Sequence, residues 1–196
     1  MFCNDTLMMN KYILKKSTYI ESENCNDRSP GIIVDTIIIH CISLPEKEYD
    51  NDYVISFFTN ELDYDAHESF KGLENLKVSS HLFIRRSGEV IQFVPFNKKA
   101  WHAGKSKYKE RENFNEFSIG IELEGSVDDI YTDNQYDRLK IVIQELKELY
   151  PSIQDSNILR HSDIAHDRKN DPGEHFSLDR IKSVSYTHLT LPTTYT

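Results

Sequence analysis

Apolar residues recur along this chain with periods that change from segment to segment, and the periods predict the elements. Residues 32–40, Ile-Ile-Val-Asp-Thr-Ile-Ile-Ile-His, are almost continuously apolar and β-branched. Such a run predicts a strand covered on both faces and central in its sheet. Thr36, Ile38 and His40 share one face of it, because successive strand side chains alternate. His40 ends the run, at the carboxyl end where open α/β sheets place their ligands. Val54, Phe57 and Phe58 stand at helical spacing, and Phe70, Leu73 and Leu76 form a second short amphipathic patch. Residues 81–85 and 90–94 flank Ser87-Gly88, the pattern of a β-hairpin. Residues 117–123 alternate strictly, with Phe117, Ile119, Ile121 and Leu123 on one side and Ser118, Gly120 and Glu122 on the other. The glycine leaves space beside Glu122. Thr132 and Gln135 form a capping box for a helix whose apolar face is Leu139, Val142, Ile143, Leu146, Leu149 and Tyr150, and Pro151 ends it. Residues 158–161 read as a short strand delivering His161 to a polar loop.

The pattern fades at both ends. Residues 1–30 are polar and aperiodic and predict a loosely attached, irregular arm. Residues 31–183 carry one domain with no linker inside it, and 105–112 read as a charged surface loop. Residues 184–196, Val-Ser-Tyr-Thr-His-Leu-Thr-Leu-Pro-Thr-Thr-Tyr-Thr, resemble the translation of a sequencing-library adapter. We expect that tail to be non-native and exclude it.

Charge narrows the partners. The formal net charge is −9, and an acidic surface opposes nucleic acid and anionic membrane. Polar breaks at Asn4, Asp5, Asn10 and Lys11 interrupt any export signal, and no run is long enough to span a bilayer. Cys3, Cys25 and Cys41 are an odd set without metal-type spacing and read as free thiols. A monomer in the cytoplasm, acting on a small soluble substrate, is the expectation.

Candidate chemistry concentrates in residues 161–173, His-Ser-Asp-Ile-Ala-His-Asp-Arg-Lys-Asn-Asp-Pro-Gly. The Asp-Pro-Gly ending is a fixed turn that carries a carboxylate near a histidine. His161 and Asp171 are both zinc-type ligands, and His40 is the obvious distant third. A set of two histidines and one carboxylate leaves a fourth position for water. Histidines that end buried strands more often only satisfy a backbone group, so spacing alone leaves both readings open. Trp101-His102-Ala103-Gly104 lines a cleft or packs in the core on equal terms, and His81 is similarly undecided.

Six blocks in collinear order carry a resemblance. They are Ile-Ile-Ile-His-Cys-Ile-Ser-Leu-Pro from 37, Val-Ser-Ser-His-Leu-Phe-Ile-Arg-Arg-Ser-Gly-Glu-Val-Ile-Gln-Phe-Val-Pro-Phe from 78, Ala-Trp-His-Ala-Gly from 100, Phe-Ser-Ile-Gly-Ile-Glu-Leu-Glu-Gly from 117, Tyr-Thr-Asp-Asn-Gln-Tyr from 131, and the 161–173 loop. Together they closely resemble the cytoplasmic, AmpD-type 1,6-anhydro-N-acetylmuramoyl-L-alanine amidases. These belong to the zinc amidase and peptidoglycan recognition protein family. The resemblance covers residues 30–182 and implies an α/β domain with a mixed central sheet flanked by helices. It implies Zn²⁺ held by His40, His161 and Asp171, with Glu122 and Lys169 acting on the substrate. The implied reaction is hydrolysis of the amide between the lactyl group of anhydromuramic acid and L-alanine of the stem peptide, in peptidoglycan recycling. The chemistry fits the positions: a carboxylate can take a proton from the attacking water, and a fixed cation can stabilise a developing oxyanion. Trp101, His102, Arg111 and Lys77 are the expected substrate contacts. Cys41, Lys77 and Asn113 depart from the family pattern, and lysine lacks the planar fork of arginine.

Three rivals stand beside this reading. His161-Ser162-Asp163 with His175 would make an iron facial triad, which fits poorly with a mixed chain and a strong helix. A non-catalytic peptidoglycan-binding module would lack a ligand or an acid–base group, and none is missing. A phage or secreted amidase acting on intact wall is the third.

Overall fold

The computed structural model describes residues 11–182. In chain order the elements are strands β1 (Thr18–Tyr19), β2 (Cys25–Asp27) and β3 (Thr36–Ile42), helix α1 (Tyr53–Phe58), then strands β4 (Leu82–Ile84), β5 (Val90–Gln92), β6 (Lys98–Ala100), β7 (Lys107–Tyr108), β8 (Arg111–Glu112) and β9 (Ser118–Glu124). Helix α2 (Asp133–Leu149), strand β10 (Ile158–Arg160) and the short helices α3 (His161–Ile164) and α4 (Asp179–Lys182) complete it. Six strands form one sheet in the order β1-β5-β4-β9-β3-β10. It is mixed, since β4 and β5 are the antiparallel hairpin expected around Ser87-Gly88 and the other neighbours run parallel. No described helix is long and apolar enough to cross a membrane.

The two long strands are central and buried on both faces. Ile37, Ile39, Ile119, Ile121 and Leu123 join the core cluster that also holds Leu139, Val142, Ile143 and Leu146 of α2. Each such side chain stabilises the fold by roughly 1.5–3 kcal/mol through its removal from water. The capping box is present: Thr132 Oγ1 accepts from the Gln135 amide at 3.1 Å, and Gln135 Oε1 accepts from the Thr132 amide at 3.1 Å. On the opposite face, α1 contributes Val54, Phe57 and Phe58 to a second cluster with Phe70, Phe83 and Phe93.

The structure differs from the sequence reading in four places. The strand expected from 32 starts at Thr36, where pairing with Ser118 begins, and Ile32 and Ile33 are 38% and 65% exposed. It also runs on to Ile42, so His40 is not its last residue. The 105–112 segment is a small hairpin, with Tyr108 paired to Arg111. Residues 11–30 are not loosely attached. Strand β1 pairs with β5, β2 pairs with β6, and Asn24 donates to the carbonyl of Val78 at 2.8 Å. The Arg28 guanidinium donates to the carbonyls of Asn115, Glu116 and Ser118 at 2.7–3.1 Å. These anchors are polar and two or three residues long, so they leave no hydrophobic period to detect. The suspect tail at 184–196 lies outside the described residues.

Candidate metal centre and its cleft

Strand β3 carries His40 onto the same sheet face as its register partner on β9, Glu122. Strand β10 delivers His161 directly, as the first residue of α3, beside β3. The loop after α3 returns Asp171 to the same point. It is closed by Gly173 at φ +89°, where a Cβ would lie 1.9 Å from the Val127 carbonyl oxygen. The Ser162 amide donates to the Asp171 carbonyl at 3.0 Å and ties the loop back on itself.

The three side chains meet. His40 Nδ1 lies 3.0 Å from His161 Nδ1 and 3.2 Å from Asp171 Oδ2, and His161 Nδ1 lies 3.0 Å from the same oxygen. Their geometry lets them hold a metal ion. Ligand atoms of a tetrahedral zinc, at bond lengths of ~2.0–2.1 Å, are separated by ~3.3 Å, close to the sides of this triangle. The donor chemistry fits as well. His161 Nε2 faces the Ala103 carbonyl at 3.3 Å, and a carbonyl can only accept. The proton of His161 is therefore on Nε2, and Nδ1 turns a lone pair toward a carboxylate, an arrangement that a cation between them stabilises.

Burial shapes the charges. His40 is held down to about 4, because burial penalises its cation more than the Asp171 hydrogen bond favours it. Burial works against the Asp171 carboxylate, yet the imidazoles of His161 and His40 beside it win and hold it well below the usual range. Glu122 goes the other way. Burial, then the charge of Asp171, pushes its carboxyl well above the usual range, while Lys169 opposes the shift. Its Oε2 is buried and makes no hydrogen bond among the described residues. An orphaned buried oxygen of this kind is expensive and calls for an explanation. Glu122 lines a cleft of about 520 Å³ together with His40, His161, Asp171, Lys169, Trp101 and an apolar wall from Phe57 and Phe58.

A family model described as N-acetylmuramoyl-L-alanine amidase matches residues 27–174. The chain belongs to that family. The 1,6-anhydro-N-acetylmuramyl-L-alanine amidase AmpD of Enterobacter cloacae is 48% identical to this amidase over 161 residues, 82% of this chain and 83% of that protein. A crystal structure of a selenomethionine AmpD derivative superposes with a TM-score of 0.85 at 41% identity, covering 88% of this chain and 96% of the other. AmpDh3 from Pseudomonas aeruginosa, solved in complex with an anhydromuramic pentapeptide, gives a TM-score of 0.56 at 26% identity, covering 83% of this chain and 64% of that one.

The expected substrate contacts in the amidase divide. Trp101 lines the cleft, with its indole N–H donating to Asn26 Oδ1 of β2 at 2.7 Å. The attached N-terminal segment thus braces one wall. His102 reaches the cleft floor, but both ring nitrogens have protein partners, His40 Nε2 at 2.9 Å and Ser118 Oγ at 3.2 Å. It has no nitrogen to offer a substrate. Arg111 is not brought to the cleft lining: it lies on the β7–β8 hairpin, ion-paired to Asp35 at 3.1 Å and stacked 3.7 Å over the Phe117 ring. Lys77 is exposed between Leu76 and Val78, which do line the cleft. His81 packs, with Nδ1 accepting from the Gly120 amide at 3.0 Å and Nε2 donating to the Lys98 carbonyl at 3.0 Å. Sequence reasoning missed Asn115, Ser118 and Arg168, which hold the 101–105 segment and signal nothing locally.

Proposed function

We propose that the chain is a zinc-dependent amidase of peptidoglycan recycling. It hydrolyses the amide between the lactyl group of 1,6-anhydro-N-acetylmuramic acid and the L-alanine of a soluble stem peptide. The observation that carries this reading is the convergence of His40, His161 and Asp171 beside the unpartnered oxygen of Glu122, at the floor of one cleft. His40, His161 and Asp171 would hold the zinc, which when bound supplies Lewis-acid activation of water and of the scissile carbonyl. Glu122 takes the proton of the attacking water on its carboxylate, and its raised affinity for that proton suits it to hand it on to the departing alanine nitrogen. Lys169, at the cleft edge, places an ammonium where negative charge develops on the former carbonyl oxygen. The aromatic wall of Phe57 and Phe58 excludes water from one side and strengthens both effects. A monomer working in the cytoplasm fits the acidic chain, whose net charge of −9 disfavours retention on anionic cell wall.

The test compares anhydromuramoyl-tripeptide with intact peptidoglycan as substrates, following released peptide by mass spectrometry. Cleavage of the soluble muropeptide at the lactyl–alanine bond, with little release from intact wall, is expected. Preferential release from intact wall would replace this reading with a wall-degrading amidase.

A further inference from the structure

Hydrogen-bond direction can be followed outward from the metal triangle to a fixed end. The Phe114 carbonyl only accepts, so Ser118 Oγ–H donates to it, at 2.5 Å. With its proton committed there, Ser118 Oγ accepts from His102 Nε2–H, at 3.2 Å. A neutral imidazole protonated at Nε2 carries a lone pair at Nδ1, and that lone pair accepts from His40 Nε2–H, at 2.9 Å. His40 Nδ1 is then bare, and it is the atom that faces His161 Nδ1 and Asp171 Oδ2.

We infer that His102 is a positioning residue for the metal centre: directed by Ser118, it holds His40 in the one tautomer that leaves Nδ1 free to bind a cation. The inference rests on reading His40, His161 and Asp171 as metal ligands. The fold is cut to fit this arrangement. The His102 ring occupies the space that a side chain at position 120 would need, since a Cβ on Gly120 would lie 2.4 Å from His102 Cγ. The backbone of the segment is pinned by Asn115 Oδ1, which accepts from the amides of His102 and Ala103 at 3.1 and 2.7 Å. The neighbouring Ala103 carbonyl receives His161 Nε2–H at 3.3 Å, so two consecutive residues orient both imidazoles. Arg168 donates to that same carbonyl at 2.6 Å and clamps the segment against the loop that bears Asp171.

The experiment measures zinc affinity by competition with a chromophoric chelator, and thermal unfolding of the zinc-free protein, for wild type, His102→Leu, His102→Asn and Ser118→Ala. Leucine removes the acceptor for His40 while keeping bulk. Asparagine places its carbonyl oxygen where Nδ1 stands. Ser118→Ala leaves His102 in place but frees it to adopt the tautomer that pushes the His40 proton onto the ligating nitrogen. We expect His102→Leu to weaken zinc binding ~10–100-fold. We expect His102→Asn to recover most of that loss, and Ser118→Ala to weaken binding several-fold with the unfolding temperature of the zinc-free protein unchanged. Equal affinity in wild type and His102→Leu, or equal weakening by leucine and asparagine, overturns the inference. Should His102→Leu not fold, Ser118→Ala decides alone: weakened binding supports the role, and unchanged affinity removes it. Failure of the wild-type protein to bind zinc at all would instead sink the metal-site reading beneath it.

Discussion

Strands β3 and β9 present two faces that are equally dry and obey different rules. Toward α2 they show Ile37, Ile39, Ile119, Ile121 and Leu123, and toward the cleft His40, Ser118, Gly120 and Glu122. Ile39 is 0% exposed, His40 1% and Glu122 8%, so burial does not separate the faces. Direction does. An apolar contact is non-directional and scales with the area removed from water. A buried imidazole or carboxylate is worth having only when each polar atom meets a partner of the right kind. On the cleft face the imidazoles find such partners, and the exception is Glu122, which lines the cleft and whose buried Oε2 has none among the described residues. One face holds the sheet together, while the other spends stability to hold reactive groups.

Substitutions should separate these roles. The largest effect belongs to the cleft face: Glu122→Gln, which keeps shape and removes the base, lowers the hydrolysis rate by ~10²–10⁴-fold in steady-state assays. Zinc affinity and melting temperature should stay close to wild type. A comparable loss of fold would mean that Glu122 is structural. On the opposite face Ile121→Ala is expected to cost ~2–5 kcal/mol in urea unfolding, while the folded fraction keeps its zinc affinity.

A pH titration reads the cleft face as a group. Burial holds His40 down to about 4 and His81 and His102 well below the ordinary 6.5 in the zinc-free protein. Their folded values lie below their unfolded ones, so the unfolded chain takes up protons first as pH falls. The stability they contribute is present above ~6.5 and is lost as pH drops from there toward about 4, at up to ~1.4 kcal/mol per pH unit for each histidine. Flat stability of the zinc-free protein between pH 7 and 5 would contradict that picture. The smallest expected effect lies at the start of α2: Thr132→Ala removes one half of the α2 capping box and should cost ~1 kcal/mol without touching hydrolysis.

The same division explains what could be read from the sequence. Whatever was written in period was legible: the β9 alternation from Ser118 on (Phe117, before the strand, packs instead with Ile38), the Ser87-Gly88 hairpin, the capping box at Thr132 and the apolar face of α2. The Asp-Pro-Gly turn and the histidines were legible as residue types suited to a metal, and the collinear blocks tied them together. Partners of direction were not. Nothing near position 102 says that its ring ends on His40 and Ser118, 62 and 16 residues away. Arg28 reads as an exposed charge in a polar arm, yet it is half-buried, with backbone carbonyls from 115 to 118 converging on it. Ile32 and Ile33 show the reverse error, being apolar residues placed before the point where sheet pairing starts.

The sharpest test follows muropeptide hydrolysis as the protein is stripped of metal and then given one equivalent of zinc. Activity that vanishes on stripping and returns in proportion to zinc, saturating at a single ion per chain, is the predicted result. Undiminished turnover in the stripped protein would show that His40, His161 and Asp171 meet for some purpose other than sharing a catalytic cation.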